Sequence, residues 1–273
     1  MENKKRIAFC LFGQVRFAYK LKEYYDFLCS NDDYIVDIFI ATWNDFDTDL
    51  LKVNFKDKLF LSTQVMDKVG EGGNTPRMAY LISKSIELKR KAEFIGQFKY
   101  DYVIVKRADL VLQKESFYNS LETIDFSEDT LPCVHSMDKF KLEKDHGRKG
   151  VFPIYSILQD YMFVENSLAA DLHSLMYSFF YIHKHHLNLN TSYREGGHWN
   201  HIYFFKYFNF DIKHSNFIFY LIRPLLDHKV FEEYCTSDSL IQELVKNKEK
   251  YKSENTIELM DQVNSFGFKD KII

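Results

Sequence analysis

The 273-residue sequence predicts an α/β fold: a mostly parallel sheet flanked by helices, with a helical C-terminal region. Three observations lead there. Apolar runs rich in β-branched and aromatic residues alternate with stretches of helical periodicity through the first half of the chain. Those runs are nearly continuous in their hydrophobicity, as strands covered on both faces are. Several of them end on a glycine, a tryptophan or a charged residue, as strands do where they reach a ligand-binding rim.

The elements follow in order. RIAFCLFG (6–13) reads as a buried strand ending at Gly13, and FAYKLKEYYDFL (17–28) as a helix. YIVDIFIATWND (34–45) is a second strand with Asp37 inside it, and KLFLS (58–62) a short third. After the glycine-rich VGEGGNTPRM (69–78), a helical pattern runs over 78–98, with Thr75 as cap and Pro76 at the first helical position. YDYVIVKRADLVL (100–112) is expected as one strand and TLPCVHS (130–136) as another. The charged stretch 138–150 reads as a loop. LQDYMFVEN (158–166) is a strand leading into a helix over 167–183. EGGHWNHIYFFKYFNF (195–210) is a turn and helix, and a late strand lies within 211–224. Residues 1–230 form one domain, and 231–273 a helical extension packed on it.

Composition narrows the function. With 46% hydrophobic and 27% charged residues the chain suits a globular protein, and a net charge of −3 leaves no general footprint for nucleic acid. The 26 Phe and 18 Tyr read as a core built from large rings rather than a stacking platform. Cys10, Cys29, Cys133 and Cys235 form no C-x-x-C pair, which argues against a zinc site or a disulfide framework. Cys10 and Cys29 lie among apolar neighbours and read as small core residues. The apolar run after MENKKR is too short for a signal sequence or a span, so a cytoplasmic location is expected. Peripheral contact with the inner face of the cytoplasmic membrane, through the Lys-rich VKNKEKYKSE, is the alternative to a solvated helix face.

VIVKRADLVL (103–112) carries Lys106, Arg107 and Asp109 within an apolar run. Such charges are costly in a buried strand unless they stand at its edge, its end, or a site. YDYVIV reads as the buried strand and KRAD as the point where it emerges at the rim. Gly13, Gln14 and Arg16 make a strand-to-helix turn whose N–H groups suit an anion or a base edge, or else a plain βα turn. Neither G-x-x-x-x-G-K-[ST] nor G-x-G-x-x-G is present. Asp160 stands in an otherwise apolar strand, where desolvation raises a carboxyl toward a general base's range; capping of the next helix is the competing reading. Glu195 is a second candidate base and His198 a third. His198 and His201, three apart, are a minority zinc reading without a third ligand. Trp43 flanks a base or sugar, or packs in the core. Arg77 binds a diphosphate, or lies at the surface.

FCLFGQVR, DIFIATWN, YDYVIVKRAD and LQDYMFVEN, in that order, with FYLIRP after them, resemble bacterial GT-A-type glycosyltransferases of the WavE-like, capsular and lipopolysaccharide polysaccharide-synthesis group. The resemblance covers about residues 6–224. It implies a GT-A-like (Rossmann-like) sheet that takes a nucleotide-sugar donor and an oligosaccharide or lipid-linked glycan acceptor. The resemblance implies that Gly13, Gln14, Arg16, Trp43, Arg107, Asp109 and Arg223 bind the donor, to which Arg77 is added from its place at the start of its helix. Asp160 and Arg107 are expected to act in catalysis, with Glu195 as the second candidate base, and Asp109 to ligate Mg²⁺ or Mn²⁺. The Asp-x-Asp common in such enzymes is Arg-x-Asp here, and Tyr161 stands where many relatives have Gln. Metal-independent transfer therefore stays open. So do a nucleotidyl- or polyol-phosphate transferase and a non-catalytic carbohydrate-binding relative.

Overall fold

A computed structural model describes residues 4–13, 25, 28–44, 59–65, 74–108, 110–112, 114–126, 130–136, 162–183, 201, 204–205, 207–215 and 219–221. The strands are β1 (Lys5–Phe12), β2 (Tyr34–Trp43), β3 (Phe60–Val65), β4 (Tyr102–Arg107), β5 (Leu110–Leu112), β6 (Pro132–Ser136), β7 (Met162–Glu165), β8 (Asp211–Ser215) and β9 (Phe219–Leu221). The helices are α1 (Asn74–Gly96), α2 (Lys114–Glu122), α3 (Ser167–His173) and α4 (Met176–His183).

Seven strands form one sheet in the order β3-β2-β1-β4-β7-β6-β8. β1 pairs parallel with β2 and β4, β2 with β3, and β6 with β8, whereas β7 runs antiparallel to both of its neighbours. The expected α/β class with a mostly parallel sheet is therefore the one observed, with one strand reversed. β5 and β9 form a separate antiparallel pair.

Alternation of side chains on the strands separates two cores. Ala8, Cys10 and Phe12 of β1, Phe39, Ala41 and Trp43 of β2, and Val103 and Val105 of β4 share a cluster with Ala79, Ile82 and Ile86 of α1. The opposite face carries Phe9, whose ring meets Tyr25 at 5.6 Å and Phe117 of α2 at 5.5 Å. Cys10 and Cys29 are buried, as small core residues should be.

Helix α2 was not expected from the sequence, although Phe117, Tyr118 and Leu121 bury at helical spacing. α1 begins at Asn74, before the expected 78, so Pro76 lies in its first turn. The expected helix 167–183 divides into α3 and α4 at Ser174 and Leu175. Tyr25 and Leu28 are helical, while the rest of the expected 17–28 helix lies outside the described residues. So do the charged stretch 138–150 and the C-terminal extension 231–273.

Two of the networks that hold buried charge centre on Asp37 and on Lys89. Asp37, inside β2, accepts from the Tyr100 hydroxyl at 2.6 Å and from the Leu59 N–H at 3.0 Å. Burial, then the bond to Asp37, pushes the Tyr100 hydroxyl well above its ordinary range. Lys89 of α1 is fully buried. Its ammonium donates to the Ser167 carbonyl (3.1 Å), the Ser167 hydroxyl (2.8 Å) and Asp171 (2.9 Å), and pairs with Glu93 at 3.2 Å. Glu93 also accepts from Ser167, from Lys99 and from the Tyr100 N–H. This network ties α1 to α3 and to the chain entering β4.

Burial alone pushes the Glu93 carboxyl up, but Lys89 and those hydrogen bonds outweigh it and hold it below 4.5. A depressed carboxyl contributes stability that is present above its unfolded value and lost as pH falls through the folded one. Glu93→Gln is expected to cost about 3 kcal/mol at neutral pH, because Lys89 is left with a weakened pairing. The variant's stability, measured by urea denaturation, should also fall less steeply than wild type at acid pH. An unchanged acid limb would show that Glu93 is not the group titrating there.

Candidate active site at the sheet rim

The site follows from strand order. The chain steps outward from β1 to β2 to β3, then returns along α1 and enters β4 on the other side of β1. The direction of winding therefore reverses between β1 and β4, and in open α/β sheets a crevice at such a reversal, beyond the carboxyl ends of the strands, takes the ligand. Phe12, last in β1, is in register with Arg107, last in β4. The two strands end level, and the Ala108 N–H closes the pair onto the Phe12 carbonyl at 2.8 Å. On the other flank the Gly13 N–H reaches the Ala41 carbonyl at 3.2 Å, and Asn44 reaches Val65 at 3.1 Å. The carboxyl ends of four strands thus form one continuous rim.

Gly13 turns the chain off this rim at φ +100°. A Cβ added there meets nothing within 4 Å, so glycine is required by backbone conformation and not by crowding.

Lys106 settles the question its charge poses. It is fully buried, within β4 rather than beyond its end, so the buried strand extends further than YDYVIV. Its ammonium donates to the Leu110 carbonyl at 2.5 Å and the Arg107 carbonyl at 3.1 Å. It also lies 5.4 Å from the centre of the Tyr25 ring. Lys106 therefore grips the chain on either side of position 109, satisfying one carbonyl at the end of β4 and one at the start of β5. The expected single strand 100–112 is thereby split. Beyond the grip, β5 leaves the main sheet and pairs with β9, Leu110 opposite Leu221. The late strand expected in 211–224 is likewise two strands, in two sheets.

Among the sequence candidates, Gly13, Trp43, Arg77 and Arg107 fall within the described residues. Gly13 and Arg107 meet at the reversal point. Trp43 ends β2 on the same rim, with its ring buried in the α1-side core. Arg77 lies in the first turn of α1, the helix that returns from the rim after β3, and its buried Nε has no hydrogen-bond partner among the described residues. Gln14, Arg16, Asp109, Asp160, Glu195, His198 and Arg223 lie outside the described residues. Asp109 immediately precedes the Leu110–Leu221 pair, and Arg223 follows Leu221 by two positions. Asp160 is two positions before Met162, which pairs with Lys106. Because β7 is reversed, its amino end and not its carboxyl end meets the rim. His201 stacks on Phe163 at 4.9 Å within the core.

Sequence reasoning missed the roles of Lys106, Phe12 and the β5–β9 ribbon. The signal for Lys106 was its place one residue before a charged strand end. Among the described residues no group of three His, Cys, Asp or Glu is arranged to hold a metal ion.

No family model matches the chain, and no curated protein matches it. A solved structure with some likeness is a glycosyltransferase involved in the glycosylation of the major capsid of PBCV-1. It is 12% identical, with a TM-score of 0.41 over 77% of this chain and 80% of that one. A likeness of that size decides nothing about the site.

Gly13→Ala is expected to lower stability by about 1–2 kcal/mol, since only the positive φ opposes a side chain there. Gly13→Asn should cost less, because asparagine tolerates that region better. Urea denaturation of both checks the ranking, and equal stability of all three proteins would contradict the assigned conformation.

Proposed function

We propose that the chain is a glycosyltransferase that moves a sugar from a nucleotide-sugar donor to a glycan acceptor, with the donor seated between the ends of β1 and β4. The observation that carries this reading is the level ending of those two strands at the reversal point, with Phe12 and Arg107 in register. A crevice there suits a nucleotide on general grounds. The resemblance of FCLFGQVR, DIFIATWN, YDYVIVKRAD and LQDYMFVEN to GT-A-type glycosyltransferases supports a nucleotide sugar as the ligand and a surface polysaccharide or lipopolysaccharide as the acceptor.

In this reading the departing diphosphate is the charge that the site must meet. Arg107 offers a planar fork at the rim. Arg77 offers a buried Nε–H with no protein acceptor among the described residues, which an anion would satisfy. Gln14, Arg16 and Arg223 add donors from the neighbouring segments, and Trp43 supports the floor. With a single carboxylate in Arg-x-Asp, Mg²⁺ or Mn²⁺ would be held by Asp109 together with the donor's phosphates and water, a donor set such ions accept. When bound, the ion would supply positive charge to the leaving group. Lys106 fixes the chain to both sides of Asp109. Asp160, or Glu195 in its place, takes the proton of the acceptor hydroxyl as its oxygen attacks the anomeric carbon and the bond to the diphosphate breaks.

The test is a thermal-shift series with UDP, GDP, CMP and dTDP, each with and without Mn²⁺, since a ligand that binds only the folded state raises its melting temperature. One nucleotide should stabilise the wild type. Asp109→Ala should melt like the unliganded wild type, lose the metal-dependent part of the shift, and lose sugar transfer. No response to any nucleotide would overturn the reading in favour of a non-catalytic carbohydrate-binding protein. Near-normal transfer by Asp109→Ala would overturn the assignment of that residue.

A further inference from the structure

The last residue of β7 and the last residue of α3 form a buried polar pair that the transferase reading does not use. Glu165 and His173 are both fully buried, and His173 Nδ1 lies 2.9 Å from a Glu165 carboxylate oxygen. Among the described residues no Lys or Arg comes within ion-pairing distance of Glu165, whose partner is His173. With the carboxylate as acceptor, Nδ1 carries the proton and Nε2 keeps a bare lone pair. That Nε2 is buried with no hydrogen-bond partner among the described residues. A carboxylate charge and a lone pair are thus both left without compensation in the core, where each is costly.

A second imidazole stands beside the first. The ring of His201, also fully buried, lies 5.7 Å from that of His173. Two imidazoles that share one Zn²⁺ through ordinary Zn–N bonds hold their ring centres about 5–6 Å apart. The rings of Phe163 and Phe205 flank both histidines, an apolar surround of the kind that keeps water from a metal. A carboxylate on the far nitrogen of a ligating histidine is the usual arrangement at such ions, because it fixes the ring and the tautomer. His198 precedes His201 by three positions, the spacing that puts two side chains on one face of a helix. It lies outside the described residues.

We propose that His173 and His201 bind a structural Zn²⁺, with Glu165 orienting the His173 ring through its Nδ1–H and balancing part of the ion's charge. The described residues supply two ligands, which agrees with the lack of a described group of three. His198 is the third, and water or a further ligand completes the four positions that Zn²⁺ takes. The ion satisfies the His173 lone pair and gives the Glu165 carboxylate a compensating charge. Its place sets its role. Glu165 is in register with Val103, near the amino end of β4, so the ion lies at the opposite end of the sheet from the rim where Arg107 ends. It ties β7, α3 and the segment carrying His201 together and takes no part in transfer. The site is independent of the transferase reading, and either can fail alone.

The test is metal analysis of the full chain after loading with Zn²⁺ and gel filtration, beside melting curves taken before and after extraction with 1,10-phenanthroline. Wild type should retain about one Zn²⁺ per chain. It should melt at a lower temperature once the metal is removed, and recover with Zn²⁺ but not with Mg²⁺, which prefers oxygen ligands. His201→Gln should lose the retained metal. Glu165→Gln keeps an acceptor for the Nδ1–H and should weaken zinc binding about 10–100-fold, so it carries the test if His201→Gln does not fold. A wild type that retains no zinc and gains no stability from it would overturn the proposal in favour of a protonated His173 paired with Glu165. Undiminished zinc binding by His201→Gln or by Glu165→Gln would place the ion elsewhere in the chain and overturn it as well.

Discussion

The parallel pairing of β1 with β4 is the constraint on which the rest of the structure depends. β1 is fully buried from Ile7 to Phe12 and already pairs with β2 on its other side. Placing β4 on the free side forces the crossover through α1, covers one face of the sheet, and reverses the winding direction at the middle of the molecule. The same register that brings Tyr102 beside Ile7 brings Arg107 beside Phe12, so a packing decision at one end of the strands fixes the geometry at the other. The six-residue overlap is apolar except for Lys106 and Arg107, so the charges collect at the rim by the same rule that fills the core.

Lys106 is where packing and site meet. A fully buried ammonium is costly unless its donors are used. Here at least two of them hold carbonyls of the segment that leaves β4. The arrangement also lets the chain abandon the main sheet, because β5 finds its partner in β9, more than a hundred positions later in sequence. The Lys89–Glu93 network does comparable work at the other end of α1, where one buried pair ties two helices and the entry to β4 together. The helix that spans the sheet is thus anchored by charge at the amino ends of the strands, and its first turn, with Arg77, lies on the side of the rim.

Much of this could be read from the sequence where the information is local. β1 and β2 follow from their apolar runs, and Gly13 and Arg107 from the way the runs of β1 and β4 end. Asp37 was visible as an exception, but its partners Tyr100 and Leu59 were not, because neither neighbours it in sequence. The split of 100–112 could not be read, because Leu110–Leu112 is as apolar as the strand before it and only the distant β9 decides its sheet. The reversal of β7 escaped for the same reason: four apolar-to-acidic residues carry no mark of direction. Helix α2 is legible in Phe117, Tyr118 and Leu121, but the charged and polar residues around them blur the pattern. At the site, the rim positions were legible and the grip of Lys106 was not, since its acceptors are backbone carbonyls that any sequence would supply.

The central claim is that a nucleotide sits between the ends of β1 and β4. Amide hydrogen exchange of the full chain, with and without a nucleotide that stabilises it, tests this most directly. The account predicts added protection concentrated where the two strands end, at Phe12–Gly13 and Arg107–Leu112. Unchanged exchange at both ends, with protection appearing instead in the groove between α1 and α3 or along β8, would contradict it.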